Sequence, residues 1–263
     1  MKLTALIFAT ATSAVAAPPP SAPLPVDATR TAAALTATTQ DLRAAEAAWA
    51  KSQVAPASVV LHALYQQRLY RLLARDTKLS RATLPSLAPP LRRLSTDLVV
   101  AHRELYRLTP PLRTVRIKVA AALPAATLLT YYREADRRFR VPWNVLAAVN
   151  FVESKFGKLR NASAAGAQGP MQFMPATWRA YGLGGNVHVA RDAIVGAANY
   201  LHASGAPRNL RRALHAYNPS PAYVDAVLRY ARAMQAMFYD LYNWQVFLKT
   251  AGGDKRVTGP GLP

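Results

Sequence analysis

The sequence predicts an all-α protein: a basic helical hairpin or bundle, followed by a helical unit that carries the chemistry. Three observations predict this. Apolar residues recur at spacings of three and four, the periodicity of a one-sided helix. The stretch from Thr31 to Pro110 is rich in Ala, Leu, Arg and Gln and contains no glycine, a composition that favours helix. Further on, prolines stand at first-turn positions and glycines at stops. With 263 residues, 51% of them apolar, the chain can bury a real core, which excludes bulk disorder. The absence of cysteine excludes a disulfide scaffold, a cysteine metal site, a thiol nucleophile and a lipidated N-terminal cysteine. Charge is lopsided, with 33 Lys and Arg against 13 Asp and Glu and a formal net charge of +20. A soluble basic enzyme, a binder of anionic polymer, or both, remain.

Residues 1–16 read as a signal peptide. Met1-Lys2 is a short basic start, Leu3 to Val15 is an apolar and small-residue run, and Ala14-Val15-Ala16 is a small–x–small cleavage pattern. The run is shorter than the ~20 residues that span a bilayer, so the expectation is a secreted, cell-wall-associated protein with no stable membrane span after cleavage. Residues 17–30, with Pro18-Pro19-Pro20, Pro23 and Pro25, read as an extended, solvated linker that cannot pack.

Residues 31–118 are expected to form the basic helical region. Leu35, Leu42, Ala45 and Trp49 make one apolar stripe; Leu61, Leu64, Tyr65, Leu69 and Leu72 a second; Leu94, Leu98, Ala101, Leu105 and Leu108 a third. Breaks fall at Ala55-Pro56, Leu84 to Pro90, and Pro110-Pro111. Between Arg68 and Lys118 twelve basic residues face only Asp76, Asp97 and Glu104. The arginines sit mostly off the leucine stripes and no aromatic interleaving marks a base-stacking platform. Adhesion to anionic cell-wall polymers, weakened by salt, is therefore expected in place of nucleic-acid binding.

The chemistry concentrates between Val141 and Tyr230. Val141-Pro142 opens a helix whose apolar face is Val145, Leu146, Val149, Val152 and Phe156, with Gly157 as its stop. Glu153 lies on that inward face and is the only acidic residue between Arg137 and Arg191. A carboxylate there is paired, protonated, or at the floor of a cleft, because an unpaired buried charge is costly. The loop Asn161 to Pro170 is made of small residues that let backbone approach a ligand. It runs into Met171-Gln172-Phe173-Met174-Pro175, where Pro175 starts a short helix ending at Gly182. Such a loop beside a buried glutamate suits a sugar-binding groove, with amides for hydroxyl and N-acetyl groups and apolar faces for the ring.

Four segments in order, Glu153-Ser154, then Ser163 with Gly166 to Thr177, Ala198-Asn199-Tyr200-Leu201, and Ala216-Tyr217-Asn218, resemble the soluble lytic transglycosylase family, in particular its small secreted bacterial forms. The resemblance spans about residues 125–235. It implies a lysozyme-like fold for residues 119–248 and peptidoglycan glycan strands as substrate. The implied reaction cleaves the β-1,4 bond between N-acetylmuramic acid and N-acetylglucosamine, leaving a 1,6-anhydro-muramoyl end. By the same resemblance Glu153 is the catalytic acid and base, and Ser163 contacts the N-acetyl side of the reacting ring. Met171, Gln172 and Thr177 line the groove, and Tyr200, Tyr217 and Asn218 frame the reacting subsite.

The residues themselves support a one-carboxylate mechanism. Two-carboxylate glycosidases hold their pair about 5–9.5 Å apart, but the nearby candidates are Asp192, near a helix start, and Asp225, in the first turns of the last helix. No cofactor is expected. No metal is expected either: the segment Leu183 to Arg191 lacks the acidic residues a calcium site would use, and His188, His202 and His215 read as surface residues. The last helix opens with Ser220-Pro221 and docks on the N-terminal helices through Tyr230, Met234, Met237, Phe238, Leu241 and Trp244, with Tyr239 and Tyr242 exposed. Residues 249–263 read as a flexible tail. The alternatives are a hydrolytic muramidase of goose-type lysozyme character and a non-catalytic cell-wall-binding protein.

Overall fold

The computed structural model describes residues 16–111 and 117–259, so all but the last residue of the expected signal peptide lies outside the described residues. The first helices are α1 (Ala28–Ala47), α2 (Ala57–Arg75), α3 (Thr77–Thr83) and α4 (Pro89–Leu108), with a 3-10 turn at Leu84–Ser86 before α4. Asp27 caps α1 by accepting from the Arg30 backbone N–H at 2.9 Å, and Asp76 caps α3 through Leu79 N–H at 2.8 Å. Then come α5 (Ala125–Phe139), α6 (Trp143–Ser154), α7 (Pro175–Tyr181), α8 (Ala190–Ala203), α9 (Leu210–Tyr217) and α10 (Pro221–Asn243). A hairpin of β1 (Phe247–Thr250) and β2 (Gly253–Arg256) ends the described chain. The protein is mostly helical, as expected, and no described helix is long and apolar enough to cross a membrane.

The expected boundary between residues 118 and 119 does not divide the core. A single apolar cluster runs from Leu35 and Leu42 of α1 through α2 and α4 to Leu146 of α6 and Met234 of α10. Helix α10 packs along both α4 and α6. At its start Ser220 caps Tyr223 N–H, and at Met237 the backbone leaves the helical region (φ −133°, ψ 30°), which redirects the last turns toward α2. There Gln66 Nε2 donates to Asp240 Oδ2 at 2.9 Å, and Trp244 Nε1–H donates to Gln66 Oε1 at 3.1 Å. Gln67 exchanges two hydrogen bonds with the Gln245 backbone. These glutamines are buried polar groups; apart from a 3.3 Å contact from Gln66 Nε2 to Thr39 Oγ1 of α1, these partners lie on α10 and the residues after it, which welds the two halves together.

Four expectations are corrected. Residues 17–27 are extended but not free: Leu24 packs on the core, Tyr65 O–H donates to the Pro23 carbonyl and Arg68 to the Ala22 carbonyl. Carbonyls of a proline-rich strand still accept hydrogen bonds, which is what anchors it along α2. The tail is a hairpin in register Phe247 with Arg256, and Gly253 (φ 105°) supplies the left-handed residue its tight turn needs. Not all arginines are solvated: Arg71 is buried, pairs with Asp254 of β2 and lies over the Phe247 ring. Tyr242, expected outside, is buried beside Phe156 and Trp49.

Candidate active site

Helix α6 places Glu153 in its last turn and then stops, because Lys155 (φ 53°) and Phe156 (φ 62°) both turn left-handed. Asn150 and Ser154, one turn apart on α6, seize the same carbonyl: Asn150 Nδ2 donates to Pro170 O at 2.8 Å and Ser154 Oγ–H at 2.5 Å. Tyr132 O–H holds Asn150 Oδ1 at 2.8 Å, fixing which way that amide faces. Pro170 thereby ties the small-residue loop to the helix that carries the glutamate. Ser154 Oγ also accepts from Gly157 N–H at 2.8 Å, so this serine holds two segments.

The loop beyond Pro170 is pinned by backbone pairing. Gln168 and Phe173 exchange two 2.8 Å hydrogen bonds. Between them Gly169 (φ 73°) passes so close to Val187 that a Cβ would lie 2.0 Å from its carbonyl oxygen, a place only glycine fits. Gln172, also left-handed at φ 50°, folds its amide back onto the Gly169 carbonyl at 2.9 Å and the Asn161 carbonyl at 3.3 Å. Ser163 is exposed on the loop, and its Oγ accepts from Ala167 N–H at 3.0 Å. Thr177 is part-exposed on α7.

Opposite stands an aromatic row drawn from four elements. Trp178 meets Phe173 at 5.1 Å between ring centroids, Phe173 meets Tyr217 at 5.9 Å, Tyr217 meets Tyr200 at 5.7 Å, and Tyr200 meets Tyr181 at 4.7 Å. Tyr217 O–H donates to the Met171 carbonyl at 2.6 Å and Tyr200 O–H to the Ala216 carbonyl at 2.7 Å. These bonds lock ring orientations and leave part-exposed faces, the surface a sugar ring packs on. Asn218 ends α9 with extended backbone and is part-exposed. Met171 departs from its expected place in the groove lining. Its side chain has no exposed surface, so it supports the row from below and does not line a groove, because its backbone is turned to meet Tyr217.

Glu153 is part-exposed but closely surrounded. Tyr223, 3% exposed at the start of α10, donates its hydroxyl to Glu153 Oε1 at 2.6 Å. Burial pushes the Glu153 carboxyl up to about 7, against the Tyr223 hydrogen bond and the Lys155 ammonium, which favour the charged form. Among the described residues no second carboxylate is one of the groups that move it. Asp225 pairs with Arg211 at 2.7 Å and Asp192 accepts from Asn186 N–H at 3.0 Å, so both candidates are occupied elsewhere. Lys155 folds back over the Phe151 ring at 3.9 Å, and burial lowers its ammonium to about 7.

Tyr223 and Asn150 were not singled out from the sequence. The available signals were a tyrosine in the first turn of the helix that follows Tyr217-Asn218, and a polar residue inside an otherwise apolar helical face.

Residues 130–237 match the family described as Transglycosylase SLT domain. The match runs from α5 to the irregular Met237 and takes in every residue of the site above. No curated protein and no solved structure matches the chain.

Proposed function

We propose that Glu153 alone carries proton transfer in a non-hydrolytic cleavage of the MurNAc–GlcNAc bond of peptidoglycan, a reading supported by the match of residues 130–237 to the Transglycosylase SLT domain family. The observation that supports this reading is the setting of one carboxyl: raised to about 7, fixed at Oε1 by Tyr223, with no carboxylate partner acting on it.

A group poised near neutrality can be protonated at the start of the reaction and ionised in the middle. In the first step the Glu153 proton passes to the glycosidic oxygen as the bond from that oxygen to C1 breaks. The cation left at C1 is met by the acetamido oxygen of the same muramoyl ring. In the second step the Glu153 carboxylate takes the proton of the ring's own 6-hydroxyl, O6 bonds to C1, and the acetamido oxygen leaves. Glu153 ends as it began, and no water is consumed. Tyr223 occupies Oε1, so Oε2 is the oxygen that exchanges the proton. The rows of Tyr181, Tyr200 and Tyr217 on one side and Gln172 and Ser163 on the other supply an apolar face and polar edges for N-acetylated sugars. Ser163 takes the N-acetyl side and Asn218 the edge of the reacting subsite.

Purified sacculi digested with the wild type and with Glu153→Gln, with the soluble fragments weighed by mass spectrometry, test this. Wild-type fragments are expected to end in anhydro-muramoyl units, lighter by one water than reducing ends, and the variant to release none. Reducing ends from the wild type would make the enzyme a hydrolytic muramidase. Equal release by both would make Glu153 dispensable.

The signal-like residues 1–16 support export to the cell wall. The exposed Arg81, Arg92 and Arg93 support adhesion to anionic wall polymers, expected to fade between low salt and about half-molar salt.

A further inference from the structure

A cleft of about 260 Å³ lies where the end of α2, the start of α3 and the last turns of α4 meet, lined by Ala74, Arg75, Thr77, Arg103, Tyr106 and Arg107. Its three arginines all keep surface open to solvent. Arg103 is part-exposed and fixed in place: its Nε–H donates to the Ala74 carbonyl at 2.9 Å and its Nη2 to the Leu73 carbonyl at 3.2 Å. A guanidinium has five N–H donors, so three of them remain on Arg103, and among the described residues no carboxylate pairs with it. The Arg75 side chain is 47% exposed and reaches Asp254 through one nitrogen, at 3.1 Å, on an oxygen that Arg71 already holds. Arg107, 67% exposed, gives one nitrogen to Glu104 at 3.2 Å. Lys249 of β1 adds a further charge, donating to the Tyr106 and Thr109 carbonyls with its ammonium 4.4 Å from the centre of the Tyr106 ring.

Two features that would repel an anion here are already answered. The carbonyl end of α2, the negative pole of that helix, is taken up by Arg103, and Asp76 accepts from Leu79 N–H as the cap of α3. What is left is a set of accessible N–H donors from two helix ends around one small space, with the Thr77 hydroxyl beside them. Arginine forks pair with phosphate two bonds at a time. A phosphate ester brings three acceptor oxygens and close to two charges, which suits three guanidiniums better than the two oxygens and one charge of a carboxylate. The remaining wall, Ala74 and the part-exposed Tyr106, offers an apolar face with a hydroxyl at its edge, the kind of surface a sugar ring packs on. The volume, just below the roughly 300–1,000 Å³ of drug-sized sites, leaves room for a single such unit. We propose that this cleft binds a phosphorylated saccharide, with its phosphate oxygens among Arg75, Arg103 and Arg107 and its ring against Tyr106. The proposal is independent of the reaction assigned to Glu153, since the cleft shares no residue with that site.

Isothermal titration calorimetry of the full chain with glucose 1-phosphate at low salt tests it, a probe without the N-acetyl group that the groove around Glu153 would recognise. The controls are glucose, which loses the anion, glucuronate, which exchanges phosphate for carboxylate, and inorganic phosphate, which loses the ring. One-to-one binding of glucose 1-phosphate is expected, about tenfold or more tighter than glucose or glucuronate and severalfold tighter than inorganic phosphate. Arg103→Gln should weaken it by about tenfold and the more exposed Arg107→Gln severalfold. Tyr106→Ala should erase the preference over inorganic phosphate while leaving the affinity for phosphate itself in place. Arg133→Gln, an exposed arginine of α5 outside the cleft, should change nothing. If Arg103→Gln does not fold, Arg107→Gln and the ligand ratios still decide. Absence of saturable binding, equal affinity for glucose 1-phosphate and any of the three controls, or a loss on Arg133→Gln as large as on Arg107→Gln would overturn the proposal, the last by making the attraction a property of the whole basic surface.

Discussion

Among the described residues burial raises carboxyl groups in two places, and they differ in what surrounds them. At the junction of α1 and α10, Glu46 and Asp240 are both buried. Burial raises Glu46 to about 8, the Asp240 charge adds to the rise, and Lys51 and Arg43 oppose it; Asp240 is raised by burial too. Neither faces a groove, and Glu46 Oε1 has no partner. Glu153, by contrast, is part-exposed, with no second carboxyl among the groups that shift it and one oxygen fixed by Tyr223. A raised carboxyl is therefore no mark of catalysis by itself. What separates the two is access on one side and a donor that orients one oxygen on the other. The pair belongs to the fold, whereas the single carboxyl has the partial exposure that the proposed reaction requires.

The largest effect expected from this contrast belongs to Glu153→Gln. The amide keeps shape and the Tyr223 contact but cannot give or take the proton, so the rate on sacculi should fall by about a thousandfold, within the range of general acid–base catalysis, while the melting temperature holds. Glu46→Gln should do the reverse. In the folded chain Glu46 keeps its proton up to about pH 8, whereas the unfolded chain releases it near 4.5. Its contribution is thus complete below about 4.5 and lost as pH rises through 8. The substitution, which fixes a neutral group, should raise unfolding free energy at pH 8 by about 1–3 kcal/mol and change little at pH 4.5. Urea denaturation at the two pH values measures it. A change in lytic rate with no change in stability would erase the distinction between the two sites.

Tyr223→Phe sharpens the groove side of the comparison. Its hydroxyl favours the ionised carboxyl, so removing it should raise the Glu153 pKa above about 7. Because the first step needs the protonated acid, activity of the wild type should decline as pH rises through about 7, and the variant's decline should move to higher pH. The maximal rate should drop about tenfold, as the freed carboxyl loses its orientation. A pH–rate profile with an unmoved alkaline limb would mean that Tyr223 is only packing.

How much of this was legible before the structure depends on how far apart the partners lie in the chain. Glu153 is readable because its neighbours on the inward face are Leu146 and Val149, seven and four residues away. The helix starts at Pro175 and Ser220-Pro221 are equally local. Pairs across the chain leave no such trace. Arg71 reads as one more surface charge until Asp254, 183 positions on, is found beside it. Gly252-Gly253 looks like a frayed end, and only the register of Phe247 with Arg256 makes it a hairpin turn. Met171 was misplaced for a related reason: a groove motif names the segment, while the left-handed Gln172 beside it decides which side chains face inward.

The smallest effect is the most local. Ser154→Ala removes one of the two hydrogen bonds that hold the Pro170 carbonyl and the only side-chain acceptor for Gly157 N–H. Asn150 still holds Pro170 at 2.8 Å, so the loop should stay in place on average. The loss is expected to be about 1 kcal/mol of unfolding free energy, the net worth of a single buried hydrogen bond. Activity should fall only severalfold, through a looser Gly169-to-Gln172 turn that slackens the groove wall without touching the proton on Glu153. The alkaline limb of the pH–rate profile should therefore stay at its wild-type position, unlike that of Tyr223→Phe. If it moved as well, Glu153 would owe its raised pKa to the whole loop and not to its own cage, and the groove would resemble the Glu46–Asp240 junction more closely than its geometry suggests.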